Sequence, residues 1–222
     1  MTKNLIKINY LWLIVPLVLS YFANNGYGFF FKAAVPGSCI LVLAFLFRKT
    51  LKASTDIWYL FGAFFFSMVG DWFLSFKGDS FIMFSAGIGF YFFAHAGYLL
   101  FALLNGRLPK LFTVVLLAAY LVFFFLKLSP AIDDTLLRIA TFIYLIISCI
   151  SVGAALGIKS DSVLKWSYFL GVTFVLTSDT IIALYEYIGY KQLNYLILPT
   201  YYAAHISITL GVLHKFNKTR TS

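Results

Sequence analysis

Asp71 and Asp179 are carboxylates set inside apolar segments, 57–76 and 164–188, each long enough as a helix to cross a bilayer. A carboxylate in hydrocarbon is costly unless it faces a polar cavity, finds a partner or takes up a proton, so intramembrane acids are functional candidates by default. Other polar residues keep helical register around them. Ser67, Asp71 and Ser75 recur every four residues, and Tyr91, His95 and Tyr98 at four and three, so each set shares one face. Thr141, Tyr144, Ser148 and Ser151 form a further stripe, Ser178-Asp179 is followed by Glu186 one heptad on, and Tyr201, His205 and Thr209 make the last. If these faces meet, they make an acid–base site. Poor solvation favours the neutral form of one acid, which can then deliver its proton; a second, ionised carboxylate stabilises a cation and activates water.

The elements that must position these groups follow from composition. The 222 residues are 62% apolar, 20% aromatic and only 11% charged, a balance that a water-soluble domain could not hide in one core. Apolar runs with short polar breaks predict eight transmembrane helices, at 8–24, 28–47, 57–76, 81–104, 108–128, 136–158, 164–188 and 192–214. The expected fold is therefore all-α, a polytopic integral membrane bundle in which residues 1–222 form a single transmembrane domain. A cleaved N-terminal signal leaving seven helices is the alternative, but no small-x-small cleavage site follows the first apolar run. Lys3, Lys7, Arg48, Lys49, Lys52, Arg107, Lys110, Lys159, Lys165, Lys215, Lys218 and Arg220 fall at the termini or even-numbered turns, against Lys77, Lys127, Arg138 and Lys191 at the others. The positive-inside rule then puts both termini in the cytoplasm. That distribution accounts for the net charge of +9 with no nucleic-acid partner. With this orientation, the polar faces define a pocket in the outer half of the membrane, with Lys32 near the outer end of helix two. Short loops and the lack of extensions suggest a bacterial inner (plasma) membrane.

Each polar residue also has a structural reading. Ser67, Ser148 and Thr209 are of the kind that bonds its own preceding turn or a neighbouring helix. His95 and His205 could be buried neutral histidines bonded to Tyr or Ser, and Glu186 sits near enough to a helix end to reach interfacial water. Cys39 and Cys149 have no metal-ligand spacing and read as packing residues. Gly153 and Gly157 form a GxxxG spacing for close helix approach. Pro16, Pro36 and Pro199 are expected to bend their helices, Pro199 opening the backbone two residues before Tyr201. Trp12, Trp58, Trp72 and Trp166 suit interfacial anchoring.

Lys32 in helix two, Gly70-Asp71 in helix three, the Gly-rich start and histidine of GIGFYFFAHAGY at 87–98, Ser178-Asp179 in helix seven and Pro199-x-Tyr201 in helix eight occur in this order. Together they resemble the lysoplasmalogenase family of eight-helix membrane proteins, also called YhhN-like, over almost the full chain. That family often has Pro directly after the Lys and Gln a few residues after the helix-eight Tyr. Here Ala33 follows Lys32, with Pro delayed to Pro36, and His205 stands near the Gln position.

The resemblance implies hydrolysis of the vinyl ether of a lysoplasmalogen to a fatty aldehyde and glycerophosphoethanolamine or glycerophosphocholine, without cofactor or metal. Its partners would be the lysophospholipid and membrane lipid. Asp179 is then the expected general acid, with Ser178 orienting it, and Asp71 the cation stabiliser and water-activating base; the two could exchange roles. His95 or Tyr201 would position the water or the ether oxygen. Lys32 would hold the lipid phosphate or act electrostatically on an aspartate, and His205 and Tyr91 would contact substrate. A proton-coupled transporter is the chief rival, because intramembrane acids and histidines also build solute pathways, although no inverted repeat is visible. A structural subunit whose polar stripes only join helices is the third reading.

Overall fold

A computed structural model describes residues 9–48, 51, 54–78 and 80–219. Ile8 and the basic residues Lys3, Lys7, Lys49, Lys52 and Arg220 lie outside the described residues. Among the described residues the helices follow in order: α1 (Ile14–Asn24), α2 (Phe29–Phe47), α3 (Asp56–Ser75), α4 (Phe81–Leu104), α5 (Lys110–Phe123), α6 (Thr135–Leu156), α7 (Ser162–Ile188) and α8 (Ile197–Thr219). Among the described residues the β structure is limited to one isolated bridge, Gly106 to Ile158. The fold is thus an all-α bundle of the polytopic membrane kind, with seven helical spans among the described residues long and apolar enough to cross a bilayer. The first is shorter. Its apolar helical stretch, Asn9–Asn24, spans ~24 Å at 1.5 Å per residue, less than a hydrocarbon core of about 30 Å.

Local sequence explains where the helices stop and start. The Asp134 carboxylate accepts the Leu137 N–H at 2.7 Å to cap α6, and Asp161 accepts those of Val163 and Leu164, each at 3.0 Å, to cap α7. Gly189 closes α7 in the left-handed region, φ 72°. Helix five departs from expectation: α5 ends at Phe123, and the chain continues as a π-helical turn, Phe124–Leu128, then a 3₁₀ turn, Ser129–Ala131. Pro130 brings no N–H to continue the α-helical ladder. Helix eight also starts later than expected, after a 3₁₀ turn at Asn194–Leu196. Pro199 therefore lies in the first turn of α8, where no intrahelical N–H is required, and it does not break the helix.

The termini share one end of the bundle. Asn9 Nδ2 donates to Asn217 Oδ1 at 2.6 Å, and Tyr10 Oη lies 2.9 Å from His214 Nδ1. Nearby, Lys215 Nζ sits 2.5 Å from Asp56 Oδ2 and 2.7 Å from Asn105 Oδ1, which joins α8, α3 and the end of α4. Leu43, Phe47, Phe64, Tyr98, Phe101 and Tyr168 fill the interior above this network. Small residues set the tightest contacts. A Cβ at Gly171 would stand 2.8 Å from the Ala204 carbonyl oxygen, so α7 and α8 can pack this closely only with glycine there. Of the GxxxG pair, Gly153 lets α6 approach α5 at Thr113, whereas Gly157, just past the end of α6, makes room for the Arg107 carbonyl of the α4–α5 connection. All four tryptophans lie at the surface.

Candidate active site

At the opposite end from the termini, Lys32, Asp71, Tyr91, Ser178, Asp179 and Tyr201 line one cavity of about 350 Å³. Ser75 at the end of α3, Lys77 just after it, Glu186 in the last turn of α7 and Asn194 in the α7–α8 connection complete its polar rim. The two acids reach the cavity from different heights. Asp71 is four residues from the C-terminal residue of α3 and Asp179 nine from that of α7.

One face of α4 connects the components. Tyr91, His95 and Tyr98, one turn apart, contact Asp71 on α3, Asp179 on α7 and His205 on α8 respectively. Gly70 makes the first of these contacts possible, because a Cβ there would lie 3.0–3.1 Å from three carbons of the Tyr91 ring. The ring crosses α3 at that glycine.

The two carboxylates have unlike surroundings. Asp71 is held on both oxygens: the Tyr91 hydroxyl donates to Oδ1, and the Tyr201 hydroxyl donates to Oδ2 at 2.7 Å. Asp179 is held on one. Its Oδ2 accepts from the Tyr144 hydroxyl at 2.6 Å and faces His95 Nε2 at 3.1 Å, while Oδ1 has no hydrogen-bond partner among the described residues. His95 is fully buried and its Nδ1 is without a partner among the described residues, so the ring acts through Nε2. Lys32 and Asp179 both lie within electrostatic reach of Asp71. Lys32 makes no salt bridge among the described residues, whereas Lys77 pairs with Glu186 at 3.1 Å.

Two expected roles need correction. The Ser178 hydroxyl donates to the Ile197 carbonyl at 3.0 Å, anchoring α7 to the start of α8, and does not orient Asp179. Successive helical residues point about 100° apart, which turns Ser178 towards α8. His205 is fully buried one turn below Tyr201; its Nδ1 lies 2.9 Å from the Tyr201 carbonyl oxygen and its Nε2 3.4 Å from Tyr98 Oη. It supports those tyrosines from behind and is not on the cavity wall. His95 also stands behind the wall and reaches the cavity through Asp179.

Sequence reasoning placed Tyr144 on a polar stripe without giving it a role, yet it makes the shorter of the two bonds to Asp179. The signal was its register with Thr141 and Ser148. Glu186, read as an interfacial residue, belongs to the cavity rim. Ser148 and Thr209 follow their structural reading, each bonding the carbonyl four residues before it. Among the described residues no group of three His, Cys, Asp or Glu side chains is arranged to hold a metal ion.

The family model of the YhhN family matches residues 29–212, a span that contains every cavity residue named above. The chain belongs to the YhhN family, the family of lysoplasmalogenase-like membrane proteins. No curated protein and no solved structure matches it.

Proposed function

From membership of the YhhN family and the contrast between the two carboxylates, we propose that this membrane protein hydrolyses the vinyl ether of a lysoplasmalogen. The products are a fatty aldehyde and glycerophosphoethanolamine or glycerophosphocholine. The observation that carries the reading is the unlike hydrogen bonding of Asp71 and Asp179 on one cavity. Two phenolic donors suit an ionised Asp71, because charged acceptors make the stronger bonds. A neutral Asp179 uses Oδ2 as the acceptor for Tyr144 and His95, leaving the Oδ1 hydroxyl to face a substrate.

Vinyl ether hydrolysis begins with proton transfer to the alkene carbon remote from oxygen. Asp179 supplies that proton and becomes a carboxylate, and the alkene becomes an oxocarbenium ion. Asp71 stabilises the cation, as paired carboxylates do at comparable transition states in glycoside hydrolysis. Water entering from the polar rim adds to the cationic carbon while a carboxylate takes its proton, giving a hemiacetal. Collapse of the hemiacetal breaks its bond to the glycerol oxygen; the hydroxyl proton passes to a carboxylate and the leaving oxygen is protonated. Both aspartates thereby return to their starting states, and water is the only reagent consumed. In this reading Lys32, on the same cavity, takes the phosphate as a point charge.

The test is aldehyde release by the purified protein in detergent from a 1-alkenyl lysophospholipid, with acyl and saturated-ether lysolipids alongside. Release from the alkenyl lipid alone is expected. Release from none of the three would overturn the reading in favour of transport or a structural role.

A further inference from the structure

An apolar slot adjoins the polar cavity beside Asp179. Leu74, Tyr91, Asp179 and Ile182 line both, so the two spaces share a wall rather than lying apart. Beyond Asp179 the lining changes character to Phe84 and Ile88 on α4, Ala183 on α7, and the ring of Tyr187. Phe84, Ile88, Ile182 and Tyr187 are all partly exposed, so the slot reaches the surface of the bundle. Its volume is about 50 Å³ against about 350 Å³ for the polar cavity, so a chain enters it only as its outer margin opens. A deeper slot on the other side of Tyr144 shares Asp179 alone with the cavity.

We infer that the slot between α4 and α7 holds the hydrocarbon chain of the substrate where it leaves the ether, with the headgroup in the polar cavity. The inference rests on the hydrolase reading and deepens it by naming how the lipid lies. A lysoplasmalogen is a single chain joined through its vinyl ether to a charged headgroup, and this site is polar on one side of Asp179 and apolar on the other. Placing the ether at that boundary puts the alkene carbon next to the free oxygen of Asp179. The outer margin of the slot is built from contacts that can open without disturbing either aspartate. Tyr187 Oη lies 2.7 Å from Thr141 Oγ1, its ring meets Phe84 edge to face at 5.8 Å, and Lys77 Nζ stands 5.4 Å from the Phe84 ring centre. A chain threaded here enters sideways from the membrane, so the tail never has to cross water.

The test uses the intact protein in detergent and a saturated 1-O-alkyl lysophosphoethanolamine bearing a diazirine a few carbons from the ether oxygen, which vinyl ether chemistry cannot cleave. After photolysis, label that excess unlabelled lipid removes is expected on Phe84 or Ile88, which line this slot and not the deeper one. Competed label on Phe123 or Leu128 of the deeper slot, or on Tyr202 between α1 and α8, overturns the inference. So does the absence of competed label. Because the probe is not turned over, this result is independent of aldehyde release, which judges the hydrolase reading on its own. As a second measurement, Ile88→Trp narrows this slot and not the deeper one, and the ratio of kcat/KM for long-chain over short-chain alkenyl substrates is expected to fall by about 100-fold, the scale of a misplaced reacting group. An unchanged ratio in that folded variant also overturns it.

Discussion

Asp179 offers a way to separate catalysis from packing, because removing its proton and removing its hydrogen bonds are different perturbations. In Asp179→Asn the amide oxygen can stay where Oδ2 is, accepting from Tyr144 at 2.6 Å and from His95 at 3.1 Å, while the NH₂ takes the place of the unpaired Oδ1 at the cavity. The variant keeps both bonds but has no acidic proton, and loss of a general acid costs about 10²–10⁴ in rate. Its stability should stay within about 1 kcal/mol of the parent, since neither buried donor loses its acceptor. Asp179→Ala removes the same proton and also strands the Tyr144 hydroxyl and the His95 N–H, each at about 1–3 kcal/mol when left buried and unpaired. For a chain of this size that amounts to roughly 2–4 °C in Tm per kcal/mol. Aldehyde release and thermal unfolding in the same detergent should therefore dissociate: the two variants are equally inactive, but only the alanine variant melts early. Substantial turnover by Asp179→Asn would refute the assignment of the acid and move it to Asp71. Equal melting of the two variants would refute the account of Tyr144 and His95.

Lys32→Gln should raise KM for the lysophospholipid by about 10- to 100-fold, the worth of a charge-assisted bond, and leave turnover of 1-alkenylglycerol, which lacks the phosphate, near the parent value. A matching fall in kcat on both substrates would show that the lysine acts on an aspartate instead. Gly70→Ala places a methyl 3.0–3.1 Å from the Tyr91 ring and should push its hydroxyl away from Asp71. Activity is expected to fall by about tenfold, and the double variant with Tyr91→Phe should be no worse than Tyr91→Phe alone, since both act on one contact. Asp161 lies outside the membrane spans. Burial alone would raise its pKa, but the N–H groups of Leu164 and Val163, with His214 and Lys218, outweigh it and hold the carboxyl below its ordinary value. A group depressed in the folded state contributes stability above its unfolded pKa and loses it as pH falls through the folded one. Asp161→Ala should thus cost about 1 kcal/mol near neutral pH, and the gap in Tm between variant and parent should close on acidification below about pH 4.

Much of this arrangement was legible from the chain because helical register is a strict constraint. Residues three and four apart must share a face, so Tyr91, His95 and Tyr98 had to look the same way, and a carboxylate in an apolar helix had to look inward. Register does not say which neighbour a face meets. That is why His205, correctly placed on the stripe of Tyr201, was expected at the substrate but lies one turn behind it. Ser178 shows the other limit. Adjacency to Asp179 in sequence suggested a shared task, whereas on a helix adjacent residues diverge, and the hydroxyl found the Ile197 carbonyl on another element. Tyr144 went unassigned because a tyrosine in a membrane helix has many ordinary uses; only the position of Asp179 on the facing helix singles it out. The late start of α8 was hidden because Leu193, Tyr195 and Leu196 extend the apolar run of helix eight, yet Asn194–Leu196 forms a 3₁₀ turn after the left-handed stop at Gly189.

The bundle places its polar groups at two ends with different consequences. Near the termini, Lys215, Asp56 and Asn105 satisfy one another, and the Gly106–Ile158 bridge ties the α4–α5 and α6–α7 connections together. Charges arranged that way hold helices and need no ligand. At the other end the accounts do not close internally: one oxygen of Asp179 and the ammonium of Lys32 are without protein partners among the described residues, and both line the same cavity. An ionisable group left unmatched inside a membrane-spanning segment is expensive in a fold whose only purpose is to be stable. The two groups are a proton donor or acceptor and a cation, at a boundary between polar and apolar lining. Under the function proposed above, what completes them together is an amphiphile carrying an anionic headgroup and a bond that a proton can break at the root of its chain.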